Sequence, residues 1–503
     1  MQITDCHIHA KTTGVYHDNI TDLIRRMQKW NIARAIISDL GDWSAFPDYD
    51  TLVTANERVR RECLISDGRL EYLVYINPQI QNWQEIFDRF YQDSCGVKLW
   101  ISLRSKEYGL ERTREVLRLA AKFDKAVLIH TFNRTNPEQP GEIGVDEIID
   151  LAASVPECRI VAAHSGGNWR RAIERAAEFP ENVFFDVSGT YPERTMVRSL
   201  VDTFGSRRIL YGSDAYGRSF GSQLSKFLNS GLGKDELTDI LCENCMRVFR
   251  LSSAKPCEPQ RLSRWNISGK NVDNFCFTGR SDYFEHSVAP EMLVKAAGRC
   301  GVDTLYAASL EAMTSERWSD INLRHRKECA VYPQIKPLAV ADLRDMPQAI
   351  RILAELDGFA GVIISPYLHN YKLSYKPFAQ FFDICSKQDI PIWINTAFGD
   401  DRFRHPKLLT RCVTVDEIIA FASEIPICRC VLQGAPADPE LSKALPPHFM
   451  MECSRVSDWE YAPDEMFKDG DPERLCYGSE YPFREYGSVL KVLAYEPCFA
   501  LER

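Results

Sequence analysis

The chain has 503 residues, 45% of them hydrophobic and 26% charged, with a formal net charge of -9. The length exceeds what one hydrophobic core serves and points to at least two domains. The acidic balance argues against a nucleic-acid partner, whose phosphates require a basic surface.

The first predicted strand is Met1-Gln-Ile-Thr-Asp-Cys-His-Ile-His9. Asp5, His7 and His9 recur at every second position, which puts them on one face of a strand, and neutral imidazoles held so are suited to a divalent metal. An Asp and two His so early leave no room for a secretory signal, and no run is long enough to span a membrane. The 17 cysteines are odd in number and scattered through strands and helices, as at Cys158, Cys276 and Cys476. They read as reduced core residues of a cytoplasmic protein.

Leu23, Ile24, Met27 and Trp30 then form the apolar stripe of a helix. Strands are predicted at 35–38, 72–76, 96–100, 126–131, 159–164, 183–188 and 209–214, with helical patterns such as Val116–Ala120 and Val145–Ile149 between the later ones. Eight apolar strands alternating with helices within about 250 residues match a closed (β/α)8 TIM barrel, whose chemistry lies at the C-terminal strand ends. His7 and His9 end strand 1, His130 ends strand 5, His164 ends strand 6 and Asp214 ends strand 8. Four of the five histidines before residue 200 therefore converge on one barrel mouth, leaving only His17 outside.

Asp5-Cys-His-Ile-His9, Ile129-His-Thr131, Ala163-His-Ser-Gly-Gly167, Asp186-Val-Ser-Gly189 and Tyr211-Gly-Ser-Asp214 together resemble the amidohydrolase superfamily, in its amidohydrolase-related branch of decarboxylases, hydrolases and lactonases. Asn244-Cys-Met-Arg-Val-Phe249 resembles the helix that closes the family's barrel. The resemblance covers residues 1–251. It implies a catalytic metal barrel with His7, His9, His130 and Asp214 as ligands and a water completing the sphere. Zinc is the first expectation, at one ion per chain, although manganese, iron or cobalt would also suit imidazole and carboxylate. Asp214 would accept the water's proton, and His164 would polarise the substrate carbonyl or hold the water, as the matching histidine does in the family. Lys98 leaves a rival arrangement open, because in binuclear members a strand lysine is carboxylated and bridges two metals. Arg104, Arg134 and Arg218 follow strand ends where a substrate carboxylate could be clamped.

Residues 252–274 have linker composition. Beyond them Val415-Asp-Glu-Ile-Ile419 repeats Val145-Asp-Glu-Ile-Ile149, and Arg474-Leu-Cys-Tyr-Gly-Ser-Glu480 echoes Arg208-Ile-Leu-Tyr-Gly-Ser-Asp214. This self-similarity predicts a second TIM-type barrel over 275–503, a degenerate tandem copy packed on the first as an intramolecular pseudo-dimer, with a homo-oligomer also possible. In it Phe277 and Gly279 stand for the strand 1 histidines, Asn395 for His130, Gly434 for His164 and Glu480 for Asp214, a set that cannot hold zinc. The expected activity is metal-dependent hydrolysis of an amide, lactone or similar small carbonyl compound. The alternatives are non-oxidative decarboxylation of a small unsaturated or aromatic carboxylate, and a non-catalytic scaffold.

Overall fold

A computed structural model describes residues 2–10, 20–41, 43, 46–100, 106–134, 142–215, 217–252, 271–455 and 472–494. Arg104, His17 and most of the expected linker lie outside these residues. The described chain forms two compact units, one of 2–190 with 195–252 and the other of 271–494 with Tyr191–Arg194. Among the described residues no helix is long and apolar enough to cross a membrane, and every described cysteine is a free thiol.

The first unit is built on β1 (Ile3–His9), β2 (Ile32–Ser38), β3 (Leu70–Ile76), β4 (Gly96–Leu99), β5 (Ala126–Ile129), β6 (Ile160–Ala162), β7 (Val183–Asp186) and β8 (Ile209–Leu210). They form one sheet in sequential order, and each neighbouring pair is parallel. β1 returns to the chain after β8 through Cys6 N to Tyr211 O (3.0 Å) and Asp214 N to His7 O (2.8 Å). The fold is therefore mixed α/β with an eight-stranded parallel sheet that fits a TIM barrel. Helices cover the outside as expected. Leu23 and Met27 are buried on Ile20–Lys29, with Trp30 buried just beyond it, and the two other predicted stripes fall within Lys106–Lys122 and Val145–Ser154.

The strands stop short of the sequence expectation. β5, β6 and β8 end at Ile129, Ala162 and Leu210, so His130, His164 and Asp214 sit just past the ladder. The backbone there leaves extended geometry: His164 has φ 54° and Asp214 φ 57°. Non-glycine residues seldom adopt this left-handed region, and it turns both side chains away from strand alternation.

The second unit is built on β9 (Val272–Ser281), β10 (Phe284–Val288), β11 (Thr304–Ser309), β12 (Ile335–Val340), β13 (Gly361–Ile364), β14 (Ile392–Asn395), β15 (Cys430–Gln433), β16 (Phe449–Glu452) and β17 (Leu475–Cys476). β10 pairs antiparallel with β9, and the remaining neighbours are parallel. Its hydrogen bonds repeat those of the first unit. Asp5 Oδ1 accepts from the N–H groups of His7 (3.0 Å) and Ser213 (3.1 Å), and Asp273 Oδ1 accepts from those of Phe275 (3.0 Å) and Ser479 (3.0 Å). Glu480 N reaches Phe275 O (2.7 Å) as Asp214 N reaches His7 O.

These bonds correct the correspondence expected from sequence, because they set Phe275 against His7 and Phe277 against His9, where Phe277 and Gly279 were expected. A slip of two residues keeps every side chain on its own face, so apolar patterning cannot detect it. Thr131 Oγ1 donates to Ala163 O and Thr396 Oγ1 to Gln433 O, which pairs His130 with Asn395 and His164 with Gly434. Phe277, Phe398 and Phe483 pack together at centroid distances of 4.8–5.9 Å, all buried, at the mouth end of this sheet.

Glu452 in β16 carries a testable consequence. Burial pushes its carboxyl up to about 7, against the opposing hydrogen bonds from the Ser454 and Gly434 N–H groups. A folded value above the unfolded one makes its contribution fully present below the unfolded value near 4.5 and lost as pH rises towards 7. Thermal midpoints of wild type and Glu452→Gln, measured from pH 4.5 to 7.5, are expected to diverge across this window, with wild type losing more stability as pH rises.

Candidate metal centre

Three ligand atoms meet at the end of β1. His7 Nε2 lies 3.0 Å from His9 Nε2, His9 Nε2 lies 3.3 Å from Asp214 Oδ1, and His7 Nε2 lies 4.0 Å from the same oxygen. Donors about 2 Å from one tetrahedral ion stand roughly 3.3 Å apart, so this trio has the spacing of a metal site. A second group of close ligand atoms joins His7, His164 and Asp186. Among the described residues no further group of this kind occurs, in either unit.

Hydrogen bonds on the far sides of the rings aim them. His7 Nδ1 lies 2.6 Å from Asp186 Oδ2, and an ionised carboxylate can only accept, so the proton is on Nδ1 and the Nε2 lone pair faces the trio. His9 Nδ1 meets Ser38 Oγ at 3.0 Å. Such outer partners fix the tautomer and orientation of metal-binding histidines and raise their basicity. Ser188 Oγ donates to Asp186 Oδ2 (2.8 Å) and lies 3.1 Å from His164 Nδ1. His164 Nε2 lies 3.3 Å from His130 Nδ1, and one hydrogen-bonded chain thus runs from Asp186 through Ser188 and His164 to His130.

The electrostatics follow from burial. His7, His9 and His130 are pushed below the ordinary histidine value, chiefly by desolvation, and His164 is pushed down to about 3 for the same reason. All four are neutral at physiological pH, the state a ligand requires. Burial would raise Asp214, but the hydrogen bond from His9 and the nearby imidazoles outweigh it and hold the carboxyl well below its usual range. Its side chain is 22% exposed while those of His7 and His9 are 1% and 4%, so the carboxylate is the trio's outlet to solvent. Burial brings Lys98 down to about 8, against the pull of Asp214 and Asp186.

Close approach explains two glycines. A Cβ on Gly212 would stand 2.2 Å from Asp186 Oδ1 and 3.0 Å from His7 Cβ, and one on Gly189 would stand 2.2 Å from His164 Nδ1. The Tyr211-Gly-Ser-Asp214 and Asp186-Val-Ser-Gly189 motifs therefore leave room for the rings.

The expected site residues are placed as follows. His7, His9 and Asp214 come together as one trio. His130 lies outside it and meets His164, with ring centroids 5.0 Å apart. Lys98 Nζ lies 2.8 Å from His7 Nε2. Arg134 is engaged by both oxygens of Glu142 (2.9 and 3.2 Å), and Arg218 donates to Gly217 O (3.0 Å) just beyond Asp214. Sequence reasoning assigned no role to Asp186, Ser188 or Ser38. All three end or follow strands, and the first two lay in a recognised motif, so strand-end position was the available signal.

Residues 91–251 match the amidohydrolase family model. No curated protein matches the chain. Solved structures similar to this chain include 2,6-dihydroxybenzoate decarboxylase from Rhizobium, 17% identical, covering 50% of this chain and 99% of that one with a TM-score of 0.41. Another is 5-carboxyvanillate decarboxylase from Sphingomonas paucimobilis, 14% identical over 46% of this chain and 83% of that one, TM-score 0.40. A third is a probable 2-pyrone-4,6-dicarboxylic acid hydrolase from Acinetobacter baumannii, 14% identical over 50% and 100%, TM-score 0.37.

Proposed function

We propose that the first unit is a metal-dependent hydrolase of an amide, lactone or similar small carbonyl compound. The observation that carries this is the trio of His7 Nε2, His9 Nε2 and Asp214 Oδ1, backed by Asp186 and Ser38. A divalent transition metal held there, zinc first, supplies a Lewis acid and lowers the pKa of water. Asp214, ionised and partly exposed, takes the water's proton and returns it to the leaving group. His164, neutral and fixed by Ser188, hydrogen-bonds the substrate carbonyl or the attacking water. Asp186 keeps the His7 proton on Nδ1 throughout.

A second reading, decarboxylation of an unsaturated or aromatic carboxylate, is favoured by the aromatic wall beside the trio. Trp43 stands edge-on to His9 (5.4 Å) and to Trp100 (6.1 Å), and Trp100 edge-on to His130 (6.0 Å). Flat substrates stack against such surfaces. Release of carbon dioxide with no water incorporated separates the two reactions.

The second unit, in this proposal, is a degenerate copy that keeps the carboxylate framework without the ligands. Phe275, Phe277, Asn395 and Gly434 stand where histidines do in the first unit. Glu480 is held by Gly399 N (2.6 Å), Arg455 (3.2 Å) and Arg484 (2.5 Å), so guanidinium charge balances it where Asp214 faces imidazoles.

Elemental analysis of the purified full chain, with a screen of amides, lactones and unsaturated carboxylates, is the deciding experiment. One equivalent of transition metal is expected, lost in His7→Ala. Two equivalents, removed together by Lys98→Ala, would establish the bridged binuclear site instead, and a metal-free, inactive chain would leave the scaffold reading.

A further inference from the structure

β7 ends at Asp186, and the turn that follows puts Ser188 Oγ between two rings, 3.1 Å from His7 Nδ1 and 3.1 Å from His164 Nδ1. The helix Phe220–Leu228 holds this turn from its other side. Lys226 Nζ donates to Val187 O (2.7 Å) and to Thr190 Oγ1 (3.3 Å), and Gln223 Nε2 donates to Thr190 O (3.1 Å). The two side chains stand three residues apart on one face of the helix, and both are buried. Together they grip the residues immediately before and after Ser188-Gly189.

Taking a lysine out of water is costly, so its place here calls for a task. The second unit separates holding the turn from aiming the rings. Gln223 and Lys226 follow Tyr211 by 12 and 15 residues, and 12 and 15 residues after Tyr477 stand Val489 and Val492, both buried and without a side-chain donor. The turn persists there all the same. Ser454 N and Oγ donate to Glu452 (2.7 and 2.8 Å) as Ser188 N and Oγ donate to Asp186 (2.9 and 2.8 Å). A turn of acid and serine therefore forms without the lysine or the glutamine. In place of His7 and His164 the second unit has Phe275 and Gly434, so the clamp is missing where those rings are missing.

We infer that Lys226, assisted by Gln223, is a positioning residue of the metal centre: by fixing Val187 and Thr190 it sets the Ser188 hydroxyl that holds the His7 and His164 rings. The inference rests on the metal-dependent reading of that site and extends its machinery to a helix outside the barrel strands.

The test strips the full chain of metal and titrates zinc against a chromogenic chelator in wild type, Lys226→Met, Ser188→Ala and the double variant. Lys226→Met is expected to bind zinc about 10-fold more weakly, the lower end of what losing an outer partner costs, and Ser188→Ala at least as weakly. In the double variant the Lys226 change should add less than about 2-fold, because its route through Ser188 is already gone. The visible spectrum of the cobalt-loaded protein should change alike in the two single variants. A lowered melting midpoint with wild-type zinc affinity overturns the proposal by leaving Lys226 a structural task alone. Losses that multiply in full in the double variant overturn it as well, by giving Lys226 another route. Gln223→Leu serves if Lys226→Met does not fold, since it also removes Gln223 Oε1, a buried oxygen with no hydrogen-bond partner among the described residues. It should weaken zinc about 3-fold, the effect of one neutral hydrogen bond, and unchanged affinity there counts against the clamp in the same way. Wild type that binds no zinc removes the metal reading and this inference with it, whereas zinc bound equally by wild type and both clamp variants removes only the clamp.

Discussion

Asp214→Asn is expected to keep part of its metal and to lose turnover by about 10²- to 10⁴-fold, the usual cost of removing a positioned general base. The amide preserves shape and still offers a carbonyl oxygen next to His9 Nε2, but it cannot take a proton at neutral pH. Glu480→Gln is the control at the corresponding place in the second unit. Glu480 is fully buried with a φ of 54°, close to that of Asp214, and two guanidiniums hold it. Breaking a buried ion pair from one side typically costs about 3–5 kcal/mol, so this variant should lose thermal stability while turnover per folded molecule stays within a few-fold of wild type. One position thus answers in rate and its counterpart in melting temperature. Steady-state kinetics on metal-loaded protein beside calorimetric melting measures both. If the two substitutions cut turnover equally, or only the Glu480 change did, the assignment of the working unit would be wrong.

The first barrel was legible because its strands are short apolar runs with the polar residues collected at one end. A parallel sheet covered by helices imposes that pattern, and the H-x-H at its start marks the mouth. Sequence could not convey where the ladder stops. His164 and Asp214 read as the last residues of strands, yet both have left the strand for positive φ, a departure that histidine and aspartate tolerate better than most residues but that their presence at a strand end does not announce. The outer partners were hidden for another reason. Asp186 and Ser188 act through contacts to residues about 180 positions away, which no local period reveals. In the second unit the faint first-strand match was misjudged by one strand period, and only the Asp273 hydrogen bonds fixed it.

Asp186→Asn is expected to weaken metal binding by about 10- to 100-fold, the typical effect of losing an outer partner, without removing any ligand. The amide can present its NH2 group to His7 Nδ1, which favours the tautomer with the proton on Nε2 and turns a donor nitrogen into a protonated one. Alternatively its oxygen accepts from Nδ1 as before, but without the negative charge that raises the basicity of His7. Both arrangements disfavour the metal. Gly212→Ala approaches the same contact from the other side. The added methyl would stand 2.2 Å from Asp186 Oδ1 and 2.8 Å from its Cγ, so the carboxylate must shift away from His7. The two variants should therefore resemble each other in metal affinity, measured by competition with a chromogenic chelator, although one changes charge and the other only volume. A larger excess of metal should restore turnover in both, in contrast to Asp214→Asn, in which the proton acceptor itself is missing. An Asp186→Asn protein with wild-type metal affinity would show that Asp186 does not orient His7 for a metal, and would leave it as packing beneath the barrel mouth.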